Sequence, residues 1–160
     1  MDNGQTFLVL GAMVLLAFLI LNVNRTILGT TDNSLQAQAI TSSNSAGQQI
    51  MDLIKSKSFD ESTVNAVVTD INNFTAPNLL GHESGETINT FDDVDDFNQY
   101  SCTVSTPRMG NVAIKATVGY VNPGSPDILV ASKTRMKKIE VKAMARFLPD
   151  TLRIYYYASY

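Results

Sequence analysis

The amino-acid sequence predicts an α+β fold, a long N-terminal α-helix packed on a C-terminal antiparallel β-sheet of about four strands. Three observations carry this. No proline occurs before Pro77, and apolar residues recur at helical spacing as far as Lys57. From Tyr100 onward the apolar residues recur at every second position instead. Short turn signals separate these alternating runs, and short connections favour antiparallel neighbours. A helix with one side to bury and a sheet with one face to cover satisfy each other.

The helix is expected from about Gly4 to about Lys57, on the order of 75 Å long. It has two different halves, within a first region of residues 1–57. From Phe7 to Leu21 every residue is apolar or glycine. Beyond Asn22 the composition turns to Ser, Thr, Asn and Gln, and Leu28, Leu35, Ala39, Ala46, Ile50 and Leu53 form a single seam at steps of seven, four, seven, four and three. A helix apolar on every side must be surrounded, by lipid or by other apolar helices, whereas a helix with one seam needs one packing partner. Gly11, Ala12 and Ala17 allow neighbouring backbones to approach closely. The residues of this expected assembly core are Phe7, Leu8, Leu10, Val14, Leu15, Phe18 and Leu19.

Two simpler readings of the apolar run fit less well. A secretory signal has a basic flank before the run and an Ala-x-Ala-like site after it. Here one acid, Asp2, and no base precede it, and it exits through Leu21-Asn22-Val23-Asn24-Arg25. As a lone membrane helix the run is short, since its length of ~22 Å falls below the roughly 30 Å of a hydrocarbon core.

Residues 58–160 are expected to form a β-rich globular head. Ser58-Phe59-Asp60-Glu61-Ser62 reads as a break, followed by a short helix through Val64, Val67, Val68 and Ile71 with Ser62 or Thr63 as cap. Residues 72–100 read as a long irregular stretch, and loops of that length are usually functional or pack as a surface lid. The strand-like runs follow: Cys102 and Val104; Val112 to Tyr120; Ile128 to Val130; Ile139 to Phe147; Leu152 to Ala158. Turns are expected at Pro107–Gly110, Asn122–Pro126 and Leu148–Asp150. The closing Tyr155-Tyr156-Tyr157 alternates across its strand and presents rings to both faces.

The net charge of −3 argues against nucleic acid as a partner, because phosphate binding needs a positive field. Charge is unevenly placed. Residues 58–100 hold nine carboxylates and no Lys or Arg, while residues 133–153 hold seven Lys and Arg against Glu140 and Asp150. Two readings stand for this asymmetry: solvated faces of one domain, or an acidic patch docking on the basic patch of an identical subunit. The densest acids lie in Phe91-Asp92-Asp93-Val94-Asp95-Asp96-Phe97. Phe91, Val94 and Phe97 anchor one side of a helical turn, and the aspartates either cap backbone N–H groups in solvent or hold a hard cation such as Ca2+ at Asp92, Asp93, Asp95 and Asp96. Cys102 and His82 are single. No nucleophile elbow, metal spacing or phosphate loop is present, and no catalytic or cofactor site is expected.

With these features the chain resembles the type IV pilins and the pseudopilins of type II secretion. Gly4-Gln5-Thr6-Phe7-Leu8-Val9 looks like the Gly-Gln-Thr-Leu-Ile-Glu form of their processing junction, directly before the hydrophobic run. The seam helix, the acidic Phe-Asp-Asp-Val-Asp-Asp-Phe loop and the C-terminal strands extend the likeness over essentially the whole chain. The resemblance implies a pilin-like fold and export to the inner membrane by the pilus or secretion machinery. It also implies peptidase cleavage between Gly4 and Gln5, methylation of the new N-terminus, and helical assembly with copies of itself into a cell-surface filament. The chain departs from the family's pattern at the fifth mature position, where Val9 stands in place of Glu when counting starts at Gln5 and Gln5 itself does when counting starts at an already processed Met1. The expected function is a structural subunit of a type IV pilus-like extracellular filament. A minor pseudopilin of a secretion or pilus-priming complex, and a single-pass membrane-anchored binding module, are the alternatives.

Overall fold

The computed structural model describes residues 3–107 and 110–160. Two of the four residues of the expected turn at Pro107–Gly110, and Asp2 before the apolar run, lie outside the described residues. The chain divides into two units, Met1–Gln38 and Ala39–Tyr160.

The first helix, α1, spans Asn3–Lys55. Its unbroken run follows from the missing prolines and from Thr residues that spend their hydroxyls on the helix itself: Thr26, Thr30 and Thr31 each donate to the carbonyl four residues earlier, at 2.8–2.9 Å. Within Ala39–Tyr160 the seam is broader than its spacing predicts. Ala39, Ala46 and Ile50 are buried as expected, and Ser43, Gly47, Met51 and Ile54 join them. Leu28, the first residue of the expected seam, is exposed. The widening has a local cause at Gly47, where an added Cβ would stand 2.8 Å from the Ile154 side chain. The glycine lets the helix backbone approach the sheet closely enough to bury both its flanks.

The expected helix through Ile71 is shorter than its pattern. It comprises only Glu61–Val64 (α2), and a separate 3-10 turn forms at Ile71–Asn73. The cap is Asp60, whose carboxylate accepts the Ser62 N–H at 3.3 Å while the Thr63 hydroxyl accepts the Asp60 N–H at 3.0 Å. Val67, expected on the apolar face, is exposed. Loop residues Phe59, Phe74, Phe91 and Phe97 are buried, so the irregular stretch is held by aromatic burial rather than by backbone ladders.

Five strands form one antiparallel sheet: β1 Ser101–Thr106, β2 Gly110–Asn122, β3 Ser125–Leu129, β4 Met136–Ala145 and β5 Leu152–Ser159. The order is β1-β2-β4-β5, and the short β3 pairs with the end of β2. The fold class is therefore the α+β arrangement that the period change predicts. Val112, Ile114, Ala116, Val118 and Tyr120 of β2, with Ile139, Val141 and Ala143 of β4, face the core with Ala46, Ile50, Met51 and Ile54 of α1. Strand β4 starts at Met136 rather than Ile139 and ends before Phe147. That earlier start places Lys137 on the same side as Ile139 and Val141.

The end of β5 is tied down by Tyr160, the residue that follows it. Tyr160 packs its ring against Phe59 and Phe74, with centroids 5.6 and 5.5 Å away, and its hydroxyl accepts the Val68 N–H at 2.7 Å. Tyr160→Phe leaves that partly buried N–H without its acceptor and is expected to cost about 1–3 kcal/mol in chemical denaturation of the full chain. An unchanged midpoint would show that the hydroxyl is dispensable.

Candidate functional site

The apolar run occupies the N-terminal turns of α1, in the unit Met1–Gln38. Phe7, Leu8 and Leu15 are 74, 76 and 71% exposed, and Leu10, Val14, Phe18 and Leu19 are exposed as well. Successive residues of this run project around the whole circumference of the helix, so the exposure is not one stripe but every side. Among the described residues this is a helix long and apolar enough to cross a membrane, and none of its most apolar window is buried. At Gly11 an added Cβ would touch nothing, whereas at Gly47 it would collide. Gly11 thus has no packing duty within this unit and leaves backbone open to an outside helix. Gly4 and Gln5 lie in the opening turns of the same helix.

The second feature is the acidic turn between α2 and β1. Its aspartates are more buried than the sequence suggests: Asp93, Asp95 and Asp96 are enclosed, and only Asp92 is partly open. Asp93 accepts the N–H groups of Asp95 and Asp96 at 2.7 and 3.1 Å, and Asp96 Oδ2 accepts those of Asp92 and Asp93 at 2.9 and 3.2 Å. These bonds wind the chain into the 3-10 turn Asp95–Phe97.

The structure then separates the four aspartates. Asp95 faces Lys137, with both oxygens within 2.7–2.8 Å of the ammonium. Lys137 is fully buried and donates in addition to the Phe59 carbonyl and to Asp60 Oδ2, each at 2.8 Å, and its ammonium lies 4.4 Å from the centre of the Phe59 ring. All three ammonium protons are used. Asp60 in turn accepts the Thr75 N–H and the Tyr120 hydroxyl, tying α2, the loop, β2 and β4 together. Burial alone would raise the Asp60 carboxyl, but its bonds to Lys137, Ser62 and Thr75 outweigh it and hold the group at about 2. Burial pushes Asp95 up to about 7 despite the same lysine, and burial with the neighbouring Asp95 and Asp96 pushes Asp93 up to about 8. Asp92 and Asp96 lie beside a different group of side chains, Glu61, Glu83 and Glu86, whose like charges disfavour one another.

Lys137 is the site residue that residue counting misses. Read as one of seven bases in a solvated or docking stretch, it is the buried member of that stretch. A usable signal existed, because Lys137 shares the odd parity of Ile139, Val141 and Ala143 along one strand. The other bases mostly find partners within the chain: Lys133 donates to the Asn72 carbonyl, Arg135 to that of Thr69, Lys138 pairs with Asp127, and Arg153 and Lys142 pair with Glu140. Cys102 is half-buried at the edge of the core, and the His82 ring stacks on Phe91 at 5.8 Å.

No family model, no curated protein and no solved structure matches this chain.

Proposed function

We propose that this chain is a structural subunit of a type IV pilus-like extracellular filament, assembled through the N-terminal turns of α1. The observation that supports this reading best is the helix apolar on all sides whose residues Phe7 to Leu21 find no cover within their own unit. A globular head built on the later turns of the same helix, from Ala39 onward, adds to it. In this reading the apolar segment sits in the inner membrane before assembly and among the same segments of neighbouring subunits afterwards. Both environments are apolar, so the transfer costs little, and helix packing with close backbone approach at Gly11 favours the filament. Burying each Leu, Ile or Phe contributes about 1.5–3 kcal/mol relative to water, which is why the segment does not stay solvated. The role is structural rather than enzymatic.

The position held by Val9 matters for this proposal. In the families that the chain resembles, a carboxylate at this position pairs with a neighbour's amino terminus. This chain has none at Val9 or at Gln5, so that particular ion pair does not set the register of its subunits. Electron microscopy of sheared cell-surface material, with mass determination of the N-terminal peptide, tests the reading. The expected result is filaments dominated by this chain, whose N-terminus begins at Gln5 and carries a methyl group. Recovery of the chain only as a detergent-soluble monomer would overturn it, and filaments containing it in a few copies would make it a minor subunit.

A further inference from the structure

We infer that Glu83, Glu86 and Asp96 form a Ca2+ site at the edge of the acidic turn, independent of filament assembly. One carboxylate oxygen from each of the three residues lies within 4.8 Å of the others. Three oxygens about 4.5 Å apart would each stand about 2.6 Å from a central ion, the upper end of the Ca2+–oxygen range, so the three carboxylates need at most a small closure to share one ion. For Mg2+, with bonds of about 2.0–2.1 Å in strict octahedral geometry, three ligands of one face stand only about 3 Å apart, a far larger closure.

A second observation points to a ligand. Asp96 is fully buried, and while its Oδ2 accepts two backbone N–H groups, its Oδ1 has no hydrogen-bond partner. A buried carboxylate oxygen left bare beside two further carboxylates is unfavourable unless positive charge arrives. The adjacent Asp92 Oδ1 is bare in the same way. The surroundings are negative as well, since Glu61 and Asp92 face the group and no Lys or Arg occurs in residues 58–100. His82 is the basic side chain that faces Glu86, and Lys57, at the end of the preceding stretch, spends its ammonium on the Phe91 carbonyl at 2.5 Å.

The backbone presents the two glutamates together. Glu83 and Glu86 are the ends of a tight turn closed by the Glu86 N–H donating to the Glu83 carbonyl at 3.2 Å, and the Glu83 N–H donates to Glu86 Oε2 at 3.1 Å. Gly85 holds φ at +95°, a value that side chains disfavour and this turn requires. Glu83 is exposed and Glu86 half-buried, which leaves the open side of the ion to water, as Ca2+ with its six to eight ligands permits.

The test uses the full chain in detergent micelles, with isothermal titration of CaCl2 and thermal unfolding followed by circular dichroism. The expected result is one Ca2+ per chain, a melting temperature raised by several degrees in Ca2+, and a smaller rise in Mg2+. In the Glu83→Gln/Glu86→Gln variant Ca2+ binding weakens at least about tenfold. In EDTA that variant melts at or above the wild-type temperature, because like charges have been removed, so the order of stability inverts between EDTA and Ca2+. The single variant Glu86→Gln serves if the double one does not fold. Absence of heat and of any melting shift up to about 10 mM Ca2+ would overturn the site. So would undiminished Ca2+ binding by the variants.

Discussion

Leu15→Asp is expected to abolish filaments and to leave the head intact. Leu15 is 71% exposed in the middle of the apolar run, so the substitution removes little packing within its own unit. Its whole cost falls on the assembled or membrane-embedded state. An aspartate at the centre of an apolar helix costs about 2.5–3.5 kcal/mol in lipid, and the Leu side chain forfeits about 1.5–3 kcal/mol of burial. In a helical polymer each subunit pays this at every repeat, with the charge lying against neighbours that carry the same charge. Shear preparations of cells expressing the variant should contain no filaments, while circular dichroism of the purified full chain in detergent shows the wild-type spectrum. Normal filaments from this variant would refute the assembly role of the segment. Leu28→Asp, lying just beyond the run on the same exposed helix, provides the graded control and is expected to cost less.

Lys137→Met is expected to be the most destabilising single change in the head, at about 3–5 kcal/mol. Methionine keeps most of the volume and the contact with Phe59, so the loss is electrostatic rather than a cavity. Without the ammonium, Asp60 remains enclosed as an unpaired charge. Adding Asp60→Asn should recover part of the loss, since it removes that charge, and failure of the double variant to gain over Lys137→Met would show that packing dominates. The pair also sets an acid limit. Asp60 is held at about 2 against its ordinary 3.8, a depressed value, so its contribution is fully present above the ordinary value and is lost as pH falls through about 2. A displacement of roughly two units corresponds to about 2–3 kcal/mol. The stability of the wild type should therefore fall by that amount from this group as pH drops from about 5 to about 1, and the fall should be absent in the Asp60→Asn/Lys137→Met variant.

Legibility in the sequence followed the range of the physics. The helix α1 and the strands were readable because their patterns are local: uninterrupted helix formers without proline, then alternation of apolar and polar residues between turn signals. Boundaries failed where a distant contact intervened. α2 is capped by Asp60 rather than by Ser62 or Thr63, and Asp60 is at the same time fastened to Thr75, Tyr120 and Lys137, a commitment to residues up to 77 positions away that no window on the chain reveals. The acidic run was visible as composition, yet its division was not. Two of its aspartates turn toward Lys137 and the core, and the other two toward Glu61, Glu83 and Glu86.

The sequence by itself determined the α+β class and the need of Phe7 to Leu21 for apolar surroundings, because hydrophobic burial depends on residue type and spacing and not on partners. Only the tertiary structure decided which charges are buried, which pair, and which are left crowded together. Those outcomes depend on distances of a few ångströms in a low-dielectric interior, and such distances exist only once residues remote in the chain have been brought side by side.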